Sequence, residues 1–388
     1  MAKSTLPATV DDLTPEWLTG ALHEGGTGAG AAVVAVVPEA VGTGVGFVGE
    51  ILRLQLTWDR SDPELPASVI VKLPTTIGRN RALAEGLLAY EREIRVYREI
   101  GDTGVRMPRC YAAYCDPNPV EWLGPAVAWL MDRLPVWVLV RLQPFWLWLF
   151  GKSRRRYVLV LEDIADAAPP AQVHGAALEQ VRTGLSLLAR LHARHWQDPA
   201  LAGTERWLWR LDRTPRVVQA AYRRRREEFI ATTPGVAASG LLDELDRVQD
   251  DYPALIRAFA KAPSTLLHGD FRLDNLLFRP DGDVVVVDWQ LCGVGPPAWD
   301  VGYFITGALE PAVGRAHEQE LLAHYLTELR AAGAEGPTLD ELTDQCDLVK
   351  RVIGHRIVTA GELLDTDLGD GRTFVELMSR RMEGWLAA

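Results

Sequence analysis

The sequence predicts an α+β protein of two lobes: a small amino-terminal lobe with a mostly antiparallel sheet and one helix, and a larger, mainly helical carboxy-terminal lobe. Three observations predict it. Segments of strand character crowd into residues 1–163. Over residues 164–388 apolar positions recur mainly at helical spacing, as in Leu178, Val181, Leu185, Leu188 and Leu191. A chain of 388 residues is also long enough for two or three domains of roughly 100–200 residues each.

The elements follow in order. Thr14-Pro15-Glu16-Trp17 combines an N-cap residue, Pro at the first helical position and an acidic first turn, so a short helix runs to about Leu22. A Gly- and Ala-rich loop leads to a strand over residues 33–37. Gly44, Gly46 and Gly49 then stand in GxGxxG spacing. A dinucleotide site would place a helix next, but residues 51–58 alternate apolar and polar, which is a strand. Strand, glycine turn, strand lets backbone N–H groups approach phosphate oxygens; a flexible hairpin has the same pattern. Residues 68–74 form an apolar strand carrying a single lysine, Lys72. A buried ammonium needs a partner, whereas an edge lysine would reach solvent. A helix predicted over residues 83–100 supplies candidates for that partner. Glu93 is preferred, with Glu91 and Glu85 as rivals. A loop and strand follow over residues 105–114, and another strand over residues 157–163.

Residues 116–156 form an insertion unlike the rest of the amino-terminal lobe. It holds Trp122, Trp129, Trp137, Trp146 and Trp148, five of the thirteen tryptophans, followed by Lys152, Arg154, Arg155 and Arg156. Pro125, Pro135 and Pro144 interrupt it and Asp132, Arg133 and Arg141 charge it, so it lacks the run of ~18–20 apolar residues of a membrane span. Four readings stand: packing on the protein's own surface, an interfacial helix on an anionic bilayer, a lid over a hydrophobic substrate, or a dimer contact. Farther on, His192 and His195 end an apolar stripe and read as satisfied core residues. The run Arg223, Arg224, Arg225 and Arg226 reads as a solvated helix face, with an anionic-binding surface as the minority reading.

The chemistry gathers at His268-Gly269-Asp270-Phe271-Arg272-Leu273-Asp274-Asn275, followed by an apolar strand and Asp288-Trp289-Gln290. Phosphoryl transfer needs one carboxylate to hold and deprotonate a hydroxyl, with a second carboxylate and a neutral oxygen on the metal. Asp270, Asp288 and Asn275 supply these groups, with Asn five residues after the first Asp. An ordinary polar turn ahead of a strand-ending Asp is the alternative. Asp300, in Trp299-Asp300-Val301, either braces this loop or caps a helix.

The bulk properties narrow the function. A net charge of −11 argues against general nucleic-acid binding. Hydrophobic residues at 48% support a core without staples. Cys110, Cys115, Cys292 and Cys346 lack paired spacing, and no apolar leader opens the chain, which together suggest a reducing, cytoplasmic setting.

Taken together, these motifs resemble the aminoglycoside phosphotransferase-like superfamily of small-molecule kinases, and within it most nearly the ecdysteroid kinase-like branch. The resemblance runs from Thr14-Pro15-Glu16-Trp17 through Lys72, Glu93, residues 159–163 and 188–196 to residues 268–304. It implies a bilobal protein kinase-like fold, with ATP and Mg2+ as cofactors and a hydroxyl-bearing small molecule as the other substrate. By position it implies that Asp270 is the catalytic base and that Asn275 and Asp288 hold magnesium. Gly44, Gly46, Gly49 and Lys72, paired with Glu93, would hold the phosphates, and Val160, Leu161 and Glu162 would meet the adenine. Two features differ from protein kinases: Asp288-Trp289-Gln290 and His-Gly-Asp stand where those enzymes have Asp-Phe-Gly and His-Arg-Asp. Both are usual in the small-molecule branch and make a protein substrate less expected. The Trp-rich insertion is outside the common pattern. Its tryptophans suggest a lipophilic acceptor and leave peripheral membrane or dimer contact open. The alternatives are an antibiotic-inactivating aminoglycoside kinase and a nucleotide-binding pseudokinase acting through the Trp-rich surface.

Overall fold

The computed structural model describes residues 6–41, 49–170, 175–233, 240–364 and 374–386. Gly44 and Gly46 lie outside the described residues; Gly49 lies within them. The chain divides into two compact units.

The first unit comprises Met1–Gly101, Met107–Pro119 and Pro144–Ala167. It opens with α1 (Pro15–Glu24), capped at Thr14, whose hydroxyl accepts from the Trp17 N–H at 3.2 Å. Five strands follow: β1 (Val33–Ala40), β2 (Gly49–Trp58), β3 (Ser68–Pro74), β4 (Cys110–Cys115) and β5 (Tyr157–Glu162). They form one antiparallel sheet in the order β1-β2-β3-β5-β4. Alternation along the strands divides their side chains between two cores. Val69, Val71, Val158 and Val160 pack with Leu18 and Leu22 of α1 on one face. Leu159, Leu161 and Ile70 pack with Ile94 on the other.

Ile94 belongs to the region predicted as one helix over residues 83–100. The structure corrects that expectation. Two helices, α2 (Gly78–Gly86) and α3 (Ala89–Arg95), precede a single π turn over Val96–Ile100. The break falls at Leu88, in the left-handed region with φ 55°. A left-handed leucine costs about 1–2 kcal/mol, and buried polar contacts on both sides of the break offset it. Glu85 accepts from the Tyr157 hydroxyl at 2.8 Å, and Glu93 accepts from Lys72.

The insertion folds as α4 (Gly124–Met131) and α5 (Val136–Gly151), with Pro144 inside α5. Val120–Gln143 count with the second unit and Pro144–Ala167 with the first. Of the four readings, packing of the tryptophans on the protein's own surface fits Trp146, which is not exposed, but not the other four. Trp122, Trp129, Trp137 and Trp148 are each more than half exposed, the lowest at 57%, and only Leu139 of α5 is buried.

The second unit comprises Asp102–Arg106, Val120–Gln143 and Ala168–Ala388. Its main helices are α6 (Leu178–Arg194), α7 (Pro215–Thr232), α8 (Leu241–Gln249), α9 (Tyr252–Phe259), α10 (Ala298–Ala308), α11 (Pro311–Ala331), α12 (Leu339–Leu364) and α13 (Phe374–Leu386). Between them run β6 (Trp209–Arg210), β7 (Thr265–Leu267), β8 (Leu276–Phe278), β9 (Val284–Val286) and β10 (Gly293–Gly295). β6, β10 and β7 make one small sheet, and β8 and β9 a hairpin. An antiparallel sheet in one unit and a mainly helical second unit are the α+β architecture expected from the sequence. His192 is a satisfied core residue, bonded through Nδ1 to the Tyr325 hydroxyl at 2.8 Å. Arg223, Arg225 and Arg226 of α7 pair with Asp250, Glu228 and Asp246, so this run is an ion-paired helix face.

Candidate active site

In the second unit, β7 delivers His268 to a tight loop. Gly269 has φ +79°, and an added Cβ would stand 2.0 Å from the Leu291 carbonyl oxygen, so only glycine fits. Asp300 of α10 gathers the loop. Its carboxylate accepts the backbone N–H of His268 at 2.7 Å and of Gly269 at 2.9 Å, and it is fully buried. The N-cap of α10 is Pro297, without a side-chain cap. Of the two roles expected for Asp300, the brace is therefore the one the structure displays.

A hairpin brings the remaining acidic group back to the loop. β8 pairs with β9 in the register Leu276↔Val286, so the residues flanking that pair come together. The Val287 N–H donates to the Asn275 carbonyl at 3.0 Å, and His268 Nε2 meets the Val287 carbonyl at 3.0 Å. Asn275 and Asp288 are thus fixed near each other by strand register, thirteen residues apart in sequence. Asp288 adopts a left-handed conformation with φ 68°, which Asp tolerates better than most residues. Its Oδ2 accepts from the Gln290 amide at 3.2 Å. His268 is buried against Phe271 and Trp289, and that burial pulls its pKa below the ordinary histidine value. It bridges the loop as a neutral ring.

Asp270 sits at the centre. Tyr303 donates its hydroxyl to Asp270 Oδ1 at 2.8 Å. Around Oδ2, Arg272 Nε and Asn275 Nδ2 both lie at 3.5 Å. Arg356 of α12 donates to the Gly269 carbonyl at 2.7 Å and stacks over the Tyr303 ring at 5.1 Å. Burial alone would raise the Asp270 pKa. Arg272, Arg356 and the Tyr303 hydrogen bond outweigh it and hold the carboxyl below the usual range. The result is a buried carboxylate that is ionised at neutral pH.

Asn275 also has the geometry of an oxygen ligand. Its amide nitrogen donates to the Asp270 carbonyl at 2.8 Å, which assigns the remaining amide oxygen as a neutral donor. An amide oxygen with one carboxylate fits Mg2+, which takes a few protein oxygens and completes its octahedron with water and phosphate.

In the first unit, Lys72 lies on β3, the middle strand of five, so it is not an edge lysine. Its register beside Leu159 turns it toward α3, where Nζ meets Glu93 Oε1 at 2.7 Å. The rivals are engaged elsewhere: Glu91 pairs with Arg95 and Arg155, and Glu85 with Tyr157 and Arg81. Val160 and Leu161 are buried in the two opposite cores of the sheet. Glu162 Oε2 accepts from the Arg109 backbone N–H at 3.0 Å.

Residues 55–338, most of the chain, match the phosphotransferase enzyme family. The chain belongs to that family. It is a phosphotransferase enzyme. Among curated proteins, the acyl-CoA dehydrogenase family member 10 of Mus musculus is 55% identical over 42 residues, 10% of this chain and 4% of that protein. The Homo sapiens acyl-CoA dehydrogenase family member 11 is 46% identical over 41 residues, 10% of this chain and 5% of that protein. The match thus spans only about a twentieth of those relatives' length. Among solved structures, a choline kinase from Cryptosporidium parvum gives a TM-score of 0.49 at 9% identity, covering 91% of this chain and 88% of that one. A microcompartment-associated aminopropanol kinase gives 0.43 at 15% identity, covering 96% and 95%. Nothing about the acceptor of this phosphotransferase follows from them.

Sequence reasoning missed Tyr303 and Arg356, two groups that set the state of the Asp270 carboxylate. Tyr303 follows Asp300 by three residues, and no charge or spacing pattern marks it. Arg356 is 87 residues from Gly269, which it contacts, and no local pattern marks it.

Proposed function

We propose that the enzyme transfers the γ-phosphoryl group of ATP, with Mg2+, to a hydroxyl of a small molecule, with Asp270 accepting the hydroxyl proton. The setting of Asp270 carries this reading. Its carboxylate is ionised, Oδ1 is held by Tyr303, and among the described residues Oδ2 has Arg272 Nε and Asn275 Nδ2 at 3.5 Å. An oxygen held so loosely can accept a hydrogen bond from an incoming alcohol. As the new P–O bond forms, the bond to the bridging oxygen of ADP breaks and the hydroxyl proton passes to Asp270. Asn275 and Asp288 would hold Mg2+, which when bound neutralises charge on the phosphoryl oxygens. Lys72, oriented by Glu93, is the proposed phosphate-binding lysine, with Gly44, Gly46 and Gly49 covering the phosphates. Since Val160 and Leu161 face the cores, adenine contact would fall to the backbone near Glu162.

The charges around Asp270 bear on the acceptor. Arg272 and Arg356 both lower its pKa, so two guanidinium groups surround the base. Arg272 is itself paired with Asp274 at 2.6 Å, so the Arg356 cation is the charge left to disfavour a polycation. The Trp-rich composition of the insertion motivates a lipophilic body for the acceptor alcohol. The test offers γ-labelled Mg-ATP with neutral and anionic lipophilic alcohols and, separately, aminoglycosides. Label is expected on members of the first group and not on the second. Efficient transfer to aminoglycosides would overturn the acceptor assignment. Absence of any transfer, with no stabilisation by Mg-ATP on heating, would overturn the ATP-dependent reaction.

Tyr303 acts here as a positioning residue. Replacing it by Phe removes one hydrogen bond to a charged group, so kcat should fall about tenfold. The KM for ATP should not change. The acid limb of the rate profile should move to higher pH, because the bond that lowers the Asp270 pKa is gone. An unchanged profile would show that Tyr303 does not set the state of the base.

A further inference from the structure

Helix α5 is apolar on two opposite faces. At 3.6 residues per turn, Leu139, Leu142, Trp146 and Phe150 share one side. That side is covered: Leu139 is buried, and Phe150 lies over Gly86, where an added Cβ would come within 3.1 Å of its ring. Trp137, Arg141, Phe145, Trp148 and Lys152 share the other side. All five are exposed, Trp137 at 62% and Trp148 at 59%. An apolar stripe this exposed is uncommon on a soluble surface and marks a contact.

Charge identifies the partner. Cations interleave the aromatic rings instead of acids. Arg141 lies over Trp137 at 5.3 Å, Lys152 over Trp148 at 5.8 Å and, on α4, Arg133 over the exposed Trp129 at 3.8 Å. The acid nearest this face in sequence, Asp132, is already bonded by the Arg216 N–H and by the Arg257 side chain. Together with Arg133, these groups line an open cavity of about 370 Å³ with three guanidinium groups to one carboxylate. The whole chain carries −11, so this basic aromatic stripe runs against the overall charge. Two copies meeting through the stripe would juxtapose like charges, which costs stability. An anionic bilayer supplies both an apolar layer for the rings and negative headgroups for the cations. At 16 residues, α5 is about 24 Å long, short of the ~30 Å hydrocarbon core. No helix among the described residues is long and apolar enough to cross a membrane.

We propose that the exposed face of α5 lies on the surface of an anionic lipid bilayer, rings inserted and cations at the headgroups. This goes beyond the phosphotransferase reading and does not depend on it. The test uses the full chain with vesicles of phosphatidylcholine alone and of phosphatidylcholine with phosphatidylserine. Co-sedimentation with the anionic vesicles, a blue shift of tryptophan emission and weakening by salt are expected. Arg141→Glu should reduce affinity at least about fivefold, the effect of losing one surface cation. Trp137→Ser with Trp148→Ser should abolish binding while leaving the thermal midpoint unchanged, since both side chains are exposed. Failure to bind anionic vesicles, or equal binding by all variants, would overturn the proposal. So would a dimer in sedimentation velocity that the double tryptophan variant converts to monomer without any vesicle binding.

Discussion

Asp270→Asn is expected to lower kcat about a thousandfold, within the 10²–10⁴ range for loss of a general base, while Mg-ATP affinity stays within twofold. The substitution keeps the Tyr303 and Asn275 contacts in outline and removes only the charge and the proton-accepting capacity. Isothermal titration with a non-hydrolysable nucleotide and single-turnover transfer separate the two effects. The pH profile adds an independent check. A carboxyl held below the ordinary value of about 3.9 remains ionised well into mild acid. Wild-type kcat/KM should therefore show no loss attributable to this group until the pH falls below about 4. The linked stability has the same sign. A depressed pKa in the folded state contributes stability above the unfolded-state pKa, and that contribution fades as pH falls through the folded-state pKa. Any stability difference between wild type and Asp270→Asn should thus be present at neutral pH and vanish in strong acid. Turnover in the variant equal to wild type would remove Asp270 from the chemistry.

The parts of this site that were legible from sequence are those set by short-range geometry. Asp270 and Asn275 stand in one loop, and the β8–β9 hairpin that returns Asp288 is written in an apolar run of the right length. Lys72 was visible because one ammonium in an otherwise apolar strand calls for a counter-charge. Glu93 could be preferred but not separated from Glu91 and Glu85, since the break at Leu88 changes which glutamate faces the sheet. Gly86, the last residue of α2, is the local signal of that break, but a lone glycine does not say which glutamate the break turns toward the sheet. Tyr303 and Arg356 were illegible for a different reason: their importance lies in contacts made by helices far along the chain. The insertion shows a third limit. A segment apolar on every side predicts burial, but its pattern does not say which face the protein covers and which it leaves for a partner.

The largest stability effect is expected at Asp300, which touches no substrate in the proposed reaction. In Asp300→Ala the backbone N–H groups of His268 and Gly269 lose their acceptor in a fully buried setting, and His192 loses a neighbour at 3.4 Å. An unsatisfied buried donor costs about 1–3 kcal/mol, and removing a buried charged partner about 3–5 kcal/mol in all. A loss of about 4 kcal/mol by urea denaturation is therefore expected. Asp300→Asn retains one acceptor oxygen and should lose about half as much. Activity should fall in both variants, because Asp300 holds the loop that aims Asp270. The order of losses distinguishes a brace from a base. Asp270→Asn should cost activity far more than stability, whereas Asp300→Ala should cost both together. If Asp300→Ala unfolds with the wild-type midpoint, the loop has another support, and the His268 and Trp289 packing would be the part that holds it.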